Sequence, residues 1–308
     1  MEEYSTEVYK NHLIRGDLHG AVDYLGRFPE QAELLKRYRE RFVEARYQHY
    51  AIAPVPDGAL LAYQEYFRNI FWLNMDKSTA EEKLRAALLA LTNAPEANSM
   101  SLDDVERTLL VPHFETAGLH FLGGRTGEYY GPYIWRTAES RSYRVELPGG
   151  EQAYTVRLLD GFIMRSWMAY LSFDAVGTSG WADEDGVISC VKVAYNLESE
   201  TFRVSLLKHE AQHTRDLVEH PGMEQDLLEY RAKLVELIYT EQRNLLVTFA
   251  AQTDPEDTQD AHTQAANRLV EAFTDRLKLP KERLEEVGVN EIQQTVKFLF
   301  AENERTLP

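Results

Sequence analysis

The spacing of apolar residues changes twice along this chain of 308 residues, and this change constrains the fold more than any other feature. Residues 1–110 are rich in charge and carry apolar side chains at helical spacing. Residues 142–147 and 153–158 instead alternate apolar and polar side chains around a Pro-Gly-Gly turn, which predicts a β-hairpin. Helical spacing returns from residue 202. The sequence therefore predicts an α+β fold.

Three regions follow from this pattern: a helical N-terminal region, a β-rich region and a helical C-terminal region, with bounds 1–110, 111–222 and 223–308. We expect a central, mainly antiparallel sheet between the two helical regions. Residues 186–195 (GVISCVKVAY) are β-branched and alternating, which predicts a strand just before helical spacing resumes. In the C-terminal region, residues 223–249 predict one long helix.

Composition and charge narrow the functional class. The chain has 33 Lys and Arg against 50 Asp and Glu, and its net charge of −17 disfavours binding to nucleic acid or to an anionic membrane surface. Cys190 is the only cysteine, which excludes an intrachain disulfide and fits a reducing compartment. We find no signal peptide, and no apolar stretch reaches the roughly 20 residues of a spanning helix. We expect a cytoplasmic protein of undetermined oligomeric state.

One short motif carries most of the chemical information, the H-E-x-x-H sequence of residues 209–213. It lies in the helix predicted to begin near residue 202. On a helix, His209 and His213 are one turn apart on one face, so both imidazoles can bind the same metal ion. Glu210 projects nearby, where it can act as the general base on a metal-activated water.

A catalytic zinc site usually has a third protein ligand, and Glu229 is the best-placed candidate. A stop at Pro221 predicts that the next helix runs back antiparallel to the motif helix. His213 lies eight residues before that stop and Glu229 eight residues after it, so the two side chains would be level. Glu224 is the alternative, nearer the turn. Glu229 also has a plain interpretation, since Lys233 follows at i+4 and the two would form a surface ion pair.

The motif and the downstream Glu229 together resemble the gluzincin branch of the zinc metallopeptidases over residues 186–239. The resemblance implies a zincin-like fold, one zinc ion per chain held by the two motif histidines and Glu229, and hydrolysis of peptide bonds in a peptide or protein substrate. It assigns Glu210 as general base. It also implies that residues 186–195 form an edge strand that pairs with the extended substrate.

A site of this kind also needs a carboxylate that orients a histidine ligand and a donor to the oxyanion. Lys233 stands where thermolysin-like members have an acid that supports a histidine ligand, so Asp226 or Glu236 would fix a histidine tautomer instead. A tyrosine or histidine would also be expected to donate to the transition-state oxyanion. Tyr230 and Tyr239 are the nearest tyrosines in sequence.

Two other functions fit the same residues. A non-catalytic metal-binding or interaction protein, a pseudo-peptidase, would close the site with a fourth protein ligand, for which His220 is nearest. A zinc hydrolase acting on a non-peptide amide or ester would apply the same chemistry to another substrate.

Overall fold

The computed structural model describes residues 3–94, 99–182 and 186–307. The chain forms two compact units. The first unit contains the residues up to Thr137 together with Leu159–Thr178, and the second contains Ala138–Leu158 and the residues from Ser179 onward. The chain therefore passes between the units three times.

Helices make up most of both units. In chain order they are α1 (Thr6–Ile14), α2 (Leu18–Leu25), α3 (Ala32–Tyr38), α4 (Pro54–Phe71), α5 (Lys77–Thr92), α6 (Leu102–Asp104), α7 (Val111–Thr116), α8 (Ser166–Ser172), α9 (His209–Glu219), α10 (Gln225–Tyr239), α11 (Asn244–Ala251), α12 (Ala261–Leu277) and α13 (Val289–Glu304). Shorter 3-10 or π-helical turns adjoin them at Pro29–Gln31, Arg39–Val43, Val105–Leu110, Lys192–Ala194, Thr201–Lys208 and Lys281–Glu286. Within the described residues, no helix is long and apolar enough to span a bilayer.

The strands form small sheets. They are β1 (His120–Leu122), β2 (Arg125–Thr126), β3 (Tyr129–Tyr130), β4 (Tyr133–Trp135), β5 (Thr137–Leu147), β6 (Gly150–Asp160), β7 (Met164–Arg165), β8 (Gly180–Ala182) and β9 (Ile188–Val191). The first unit holds an antiparallel sheet of order β1-β4-β7 and an antiparallel β2-β3 pair. The second unit holds a four-stranded sheet of order β5-β6-β9-β8, in which β8 and β9 are antiparallel.

The structure confirms the α+β class, and β5 and β6 are the strands of the predicted hairpin. The helix predicted over residues 223–249 is wrong, because α10 ends before Thr240, whose backbone is extended (φ −65°, ψ 141°). The Glu200 carboxylate accepts hydrogen bonds from Thr240 Oγ1 (2.7 Å), the Glu241 amide (2.8 Å) and Gln242 Nε2 (2.9 Å). These bonds replace the helical ones at the break.

The strand before the motif helix is not an edge strand, contrary to the expectation from the resemblance. Strand β9 lies between β6 and β8, so both of its sides are paired, and all four of its residues are buried. The edge next to it is β8, whose Gly180 pairs with Cys190 of β9. A buried, β-branched strand has the same sequence pattern whether it is central or at an edge, so the pattern could not distinguish the two.

Helix α10 is the centre of the second unit. It contacts α9, α12 and α13. Its residues from Leu228 to Ile238 are all buried, and Ala232 has no exposed surface. A helix buried on every side belongs to the core rather than to the surface. The charged residues of this run therefore need partners inside the protein, and these partners define the site.

Candidate metal centre

Three of the residues singled out by the sequence meet in the second unit. The Nε2 atoms of His209 and His213 face each other at 2.9 Å. The Glu229 carboxylate on α10 lies 3.3 Å from His209 Nε2 and 3.4 Å from His213 Nε2. All three side chains are buried. They form a group of ligand atoms that could hold a metal ion.

The distances within this group fit a bound ion. Two ligand atoms that bind a tetrahedral ion at about 2.1 Å are separated by about 3.4 Å. The separations here are 2.9, 3.3 and 3.4 Å. The two imidazole nitrogens and the carboxylate point their lone pairs toward one position. A cation at that position would be bound by all three groups. Imidazole and carboxylate ligands suit zinc and other divalent transition metals.

The local backbone brings the histidines to one face. The π-helical turn Thr201–Lys208 leads directly into α9, which begins at His209. His213 follows one α-helical turn later, and Thr214 Oγ1 donates to the Glu210 carbonyl at 3.0 Å inside the same turn. Glu210 is half-buried on the first turn of α9, next to His209 in sequence. The general-base candidate is therefore on the same helical turn as the two histidines.

Glu236 orients His209. Its Oε1 lies 2.8 Å from His209 Nδ1, and both side chains are buried. A carboxylate at the far ring nitrogen keeps Nδ1 protonated and turns the lone pair of Nε2 toward the ligand group. The sequence left this role open between Asp226 and Glu236, and the structure places Glu236 there.

Burial and charge act in opposite directions at this site. Burial alone would lower the pKa of His209, but the carboxylates of Glu229 and Glu236 raise it to about 10. Burial alone would raise the pKa of Glu229, yet His209, His213 and His262 hold it well below its usual value. Both pKa shifts favour a negatively charged carboxylate beside a cation. That cation is either a protonated imidazole or a metal ion held between the ligands.

His262 is a site residue that the sequence analysis missed. Its Nδ1 lies 2.9 Å from Glu229 Oε2, and 60% of its side chain is exposed, so it reaches the ligand group from the solvent side. It is the second residue of α12, which packs against α10. No motif surrounds it in the sequence, because only this tertiary contact brings it beside Glu229.

A tyrosine that sequence proximity did not indicate is influenced by the charge of the general-base candidate. Tyr230 and Tyr239 lie against the cationic side chains of an arginine and a lysine, at 4.4 and 3.7 Å. Tyr195 instead follows β9 and is close enough to Glu210 and Glu236 to be affected by their charges. Burial is the main cause that raises its pKa to about 12, so its hydroxyl stays protonated.

A second buried ion pair ties the ligand-bearing helices together. Arg231 Nε and Nη2 donate to the Asp216 carboxylate at 2.8 and 2.9 Å, a bidentate pair with almost no exposure. The other donors of Arg231 reach Asn303 and Glu304 of α13 at 3.0 and 2.8 Å. Gln212 donates to Asp216 at 2.8 Å. This network fixes α9 against α10 and α13.

Three alternatives from the sequence lie elsewhere. Glu224 is the exposed residue that precedes α10. His220 groups with two exposed carboxylates of α9 and α13 rather than with the motif histidines. Lys233 is buried and donates to Gln252 at 3.1 Å, so it is not the surface ion-pair partner of Glu229.

Comparison with known proteins assigns the chain to no family. No protein-family model matches it. No curated protein and no solved structure matches it significantly. The interpretation of this site rests on its own geometry.

Proposed function

We propose that this protein is a zinc-dependent metallopeptidase of the gluzincin type, with a zincin-like arrangement of sheet, α9 and α10. The observation that carries the proposal is the buried convergence of His209, His213 and Glu229, with Glu210 on the same helical turn. In this proposal the substrate is a cytoplasmic peptide or protein. The orienting contact from Glu236 supports it, because such a carboxylate commonly accompanies a metal-bound histidine.

Each residue has a defined part in this chemistry. His209, His213 and Glu229 would hold one zinc ion and leave a fourth position for water or substrate. When bound, zinc supplies Lewis-acid polarisation of water and of the scissile carbonyl. The Glu210 carboxylate takes the proton of the attacking water and delivers it to the departing amine. Tyr195, whose hydroxyl stays protonated, is the candidate donor to the oxyanion.

The test begins with metal content by elemental analysis. We expect about one zinc per chain in the wild type and loss of zinc in His213→Ala and Glu229→Ala. Glu210→Gln should keep the metal but reduce turnover of a peptide library by at least about a hundredfold, because it cannot accept a proton. Glu224→Gln, a change at the exposed residue that precedes α10, is the matched control and should retain both properties.

Each alternative result has a distinct meaning. A wild-type protein that binds no metal when zinc is supplied would contradict the metal site. Full peptide turnover by Glu210→Gln would contradict the assigned base. Turnover of amides or esters but of no peptide would keep the site and replace the substrate class.

The non-catalytic alternative has one observation in its favour. His262 lies 2.9 Å from Glu229 Oε2 and could rotate to become a fourth protein ligand. A closed site of this kind binds metal without an open position for substrate. Substitution of His262 by Ala should then weaken zinc binding about as much as His213→Ala. In a catalytic site, His262→Ala should keep zinc.

A further inference from the structure

A cavity of about 450 Å³ lies in the first unit, and three arginines line it: Arg41, Arg136 and Arg165. Among the described residues that line it, Asp174 is the one carboxylate. The remaining lining is mostly neutral side chains and main chain. Three guanidinium groups against one carboxylate leave two positive charges, in a chain whose net charge is −17. Such a local excess of positive charge requires an explanation.

Two aromatic rings and a main-chain carbonyl hold Arg41 in place. Its guanidinium lies 4.3 Å from the ring centre of Tyr170 and 4.0 Å from that of Phe173, and it donates to the Tyr170 carbonyl. Arg37 also lies 4.0 Å from the centre of the Phe173 ring, so two like charges contact one aromatic ring. In the stretches that the structure describes, no carboxylate lies within 4.0 Å of the Arg41 guanidinium. Burial lowers the pKa of Arg41, which shows that its charge is partly removed from water.

The other two arginines complete the positive lining. Arg136 is exposed and packs on Gly161, where an added Cβ would lie 3.0 Å from the Arg136 Cβ. Across the residues described, it has no ion-pair partner either. Arg165 pairs with Asp174 at 2.9 Å, which leaves the other donors of its guanidinium available.

The backbone beside the cavity is strained. Phe173 (φ 52°) and Asp174 (φ 70°) are consecutive non-glycine residues in the left-handed region. Their side chains are the ones that contact Arg41 and Arg165. Strained backbone persists where surrounding structure enforces it, and it clusters at ligand sites. Here the strained pair positions the groups that hold two of the arginines.

We propose that this cavity binds a small organic anion, which presents a carboxylate or phosphate group to Arg41, Arg136 and Arg165. Guanidinium groups bind both oxyanions through paired N–H donors. The cavity is of a size suited to a metabolite rather than a polymer. Tyr50 and Gln48, which also line the cavity, add neutral polar groups. The site is independent of the metal centre, since it shares none of that centre's residues.

The test is calorimetric titration of the purified full-length protein at fixed ionic strength. The probes are pyrophosphate and citrate, which distinguish a phosphate site from a carboxylate site. We expect saturable binding of one probe at a ratio of one per chain. Arg136→Gln should weaken it at least about tenfold, because a charged hydrogen bond is lost. Arg39→Gln is the control, since Arg39 is 74% exposed and is near Arg41 in sequence but does not line the cavity.

A second variant separates charge from geometry. Arg41→Lys keeps the positive charge but loses the paired N–H donors, so binding should again weaken while the far-ultraviolet circular dichroism stays that of the wild type. Lack of saturable binding of either probe at millimolar concentration would overturn the proposal. Binding that both Arg136→Gln and Arg41→Lys leave unchanged would overturn it as well.

Discussion

Four charged side chains of helix α10 are buried, and each is satisfied differently. Glu229 faces three histidines, Arg231 faces Asp216, Lys233 donates to Gln252 and Glu236 faces His209. Every one of these partners comes from another helix or from a loop. A buried charge without such a partner would carry a large desolvation penalty. The chemistry of the centre therefore depends on the packing around α10.

At the residue scale, Glu236→Gln should weaken zinc binding about tenfold. Glutamine can still accept from His209 Nδ1 but no longer offers the negative charge that makes the imidazole a better ligand. The measurement is competition against a zinc chelator of known affinity. Asp226→Asn, the alternative that the sequence left open, is the control. Equal losses in the two variants would contradict the role of Glu236.

A second prediction at this scale concerns Glu106 in the first unit. It is 2% exposed, accepts from the Tyr63 hydroxyl and, at 2.6 Å, from the Gly124 amide. Burial raises its pKa from 4.5 to about 7. The folded state thus binds the proton more tightly than the unfolded state. This contribution to stability is fully present below pH 4.5 and is lost as pH rises through about 7.

Glu106→Gln should remove this part of the pH dependence. The amide stays neutral, can accept from Gly124 and can donate to the Tyr63 oxygen. The wild type should lose about 3 kcal/mol of unfolding free energy, relative to the variant, between pH 4.5 and 8. Urea denaturation at a series of pH values, followed by tryptophan fluorescence, measures this. Parallel pH profiles for the two proteins would show that folding does not raise the pKa of Glu106.

At the scale of elements, the sequence predicted the features that depend on the spacing of residues close together in the chain. The alternation of residues 142–158 predicted the hairpin, and the spacing of His209, His213 and Glu229 predicted which side chains would meet. The break at Thr240 was not predictable, because a carboxylate 40 residues earlier in the chain fixes it. His262 was missed for the same reason, since its approach to Glu229 depends on how α12 packs. Sequence periodicity contains no information about either contact.

The buried ion pair of Arg231 on α10 with Asp216 on α9 gives a prediction at this scale. Arg231→Met should destabilise the second unit by about 3–5 kcal/mol, because it leaves the fully buried Asp216 carboxylate unpaired. Urea denaturation followed by circular dichroism measures the change. Arg215→Met is the control, since Arg215 pairs with the partly exposed Glu219 and the variant should lose at most about 1 kcal/mol. A loss of unfolding free energy in Arg231→Met as small as in the control would contradict the stabilising role of the Arg231–Asp216 pair.

At the scale of the whole molecule, the two units carry separate probes. Cys190 is the only cysteine, is fully buried and belongs to the second unit, together with the candidate metal centre. Three of the four tryptophans, Trp72, Trp135 and Trp167, belong to the first unit. Thiol labelling and tryptophan fluorescence therefore report mainly on different units.

Zinc should stabilise the second unit against unfolding more than it stabilises the first. A ligand that binds only the folded state stabilises it by about 4 kcal/mol at a concentration a thousand times its Kd. We expect added zinc to slow labelling of Cys190 in moderate urea by orders of magnitude, while the tryptophan transition shifts little. His213→Ala is the control and should show no zinc effect. An equal zinc-dependent shift of both probes would show that the units unfold as one.

Because strand β9 is paired on both sides, it also limits how the proposed enzyme would recognise a peptide substrate. The sheet edge beside α9 is β8, which is three residues long, so a peptide could add few main-chain hydrogen bonds there. Selection would then depend on the side chains of the substrate. N-methylation of substrate amides away from the scissile bond should leave cleavage nearly unchanged, whereas side-chain changes should alter it strongly. Under the proposed function, the enzyme would then tolerate backbone-modified peptides.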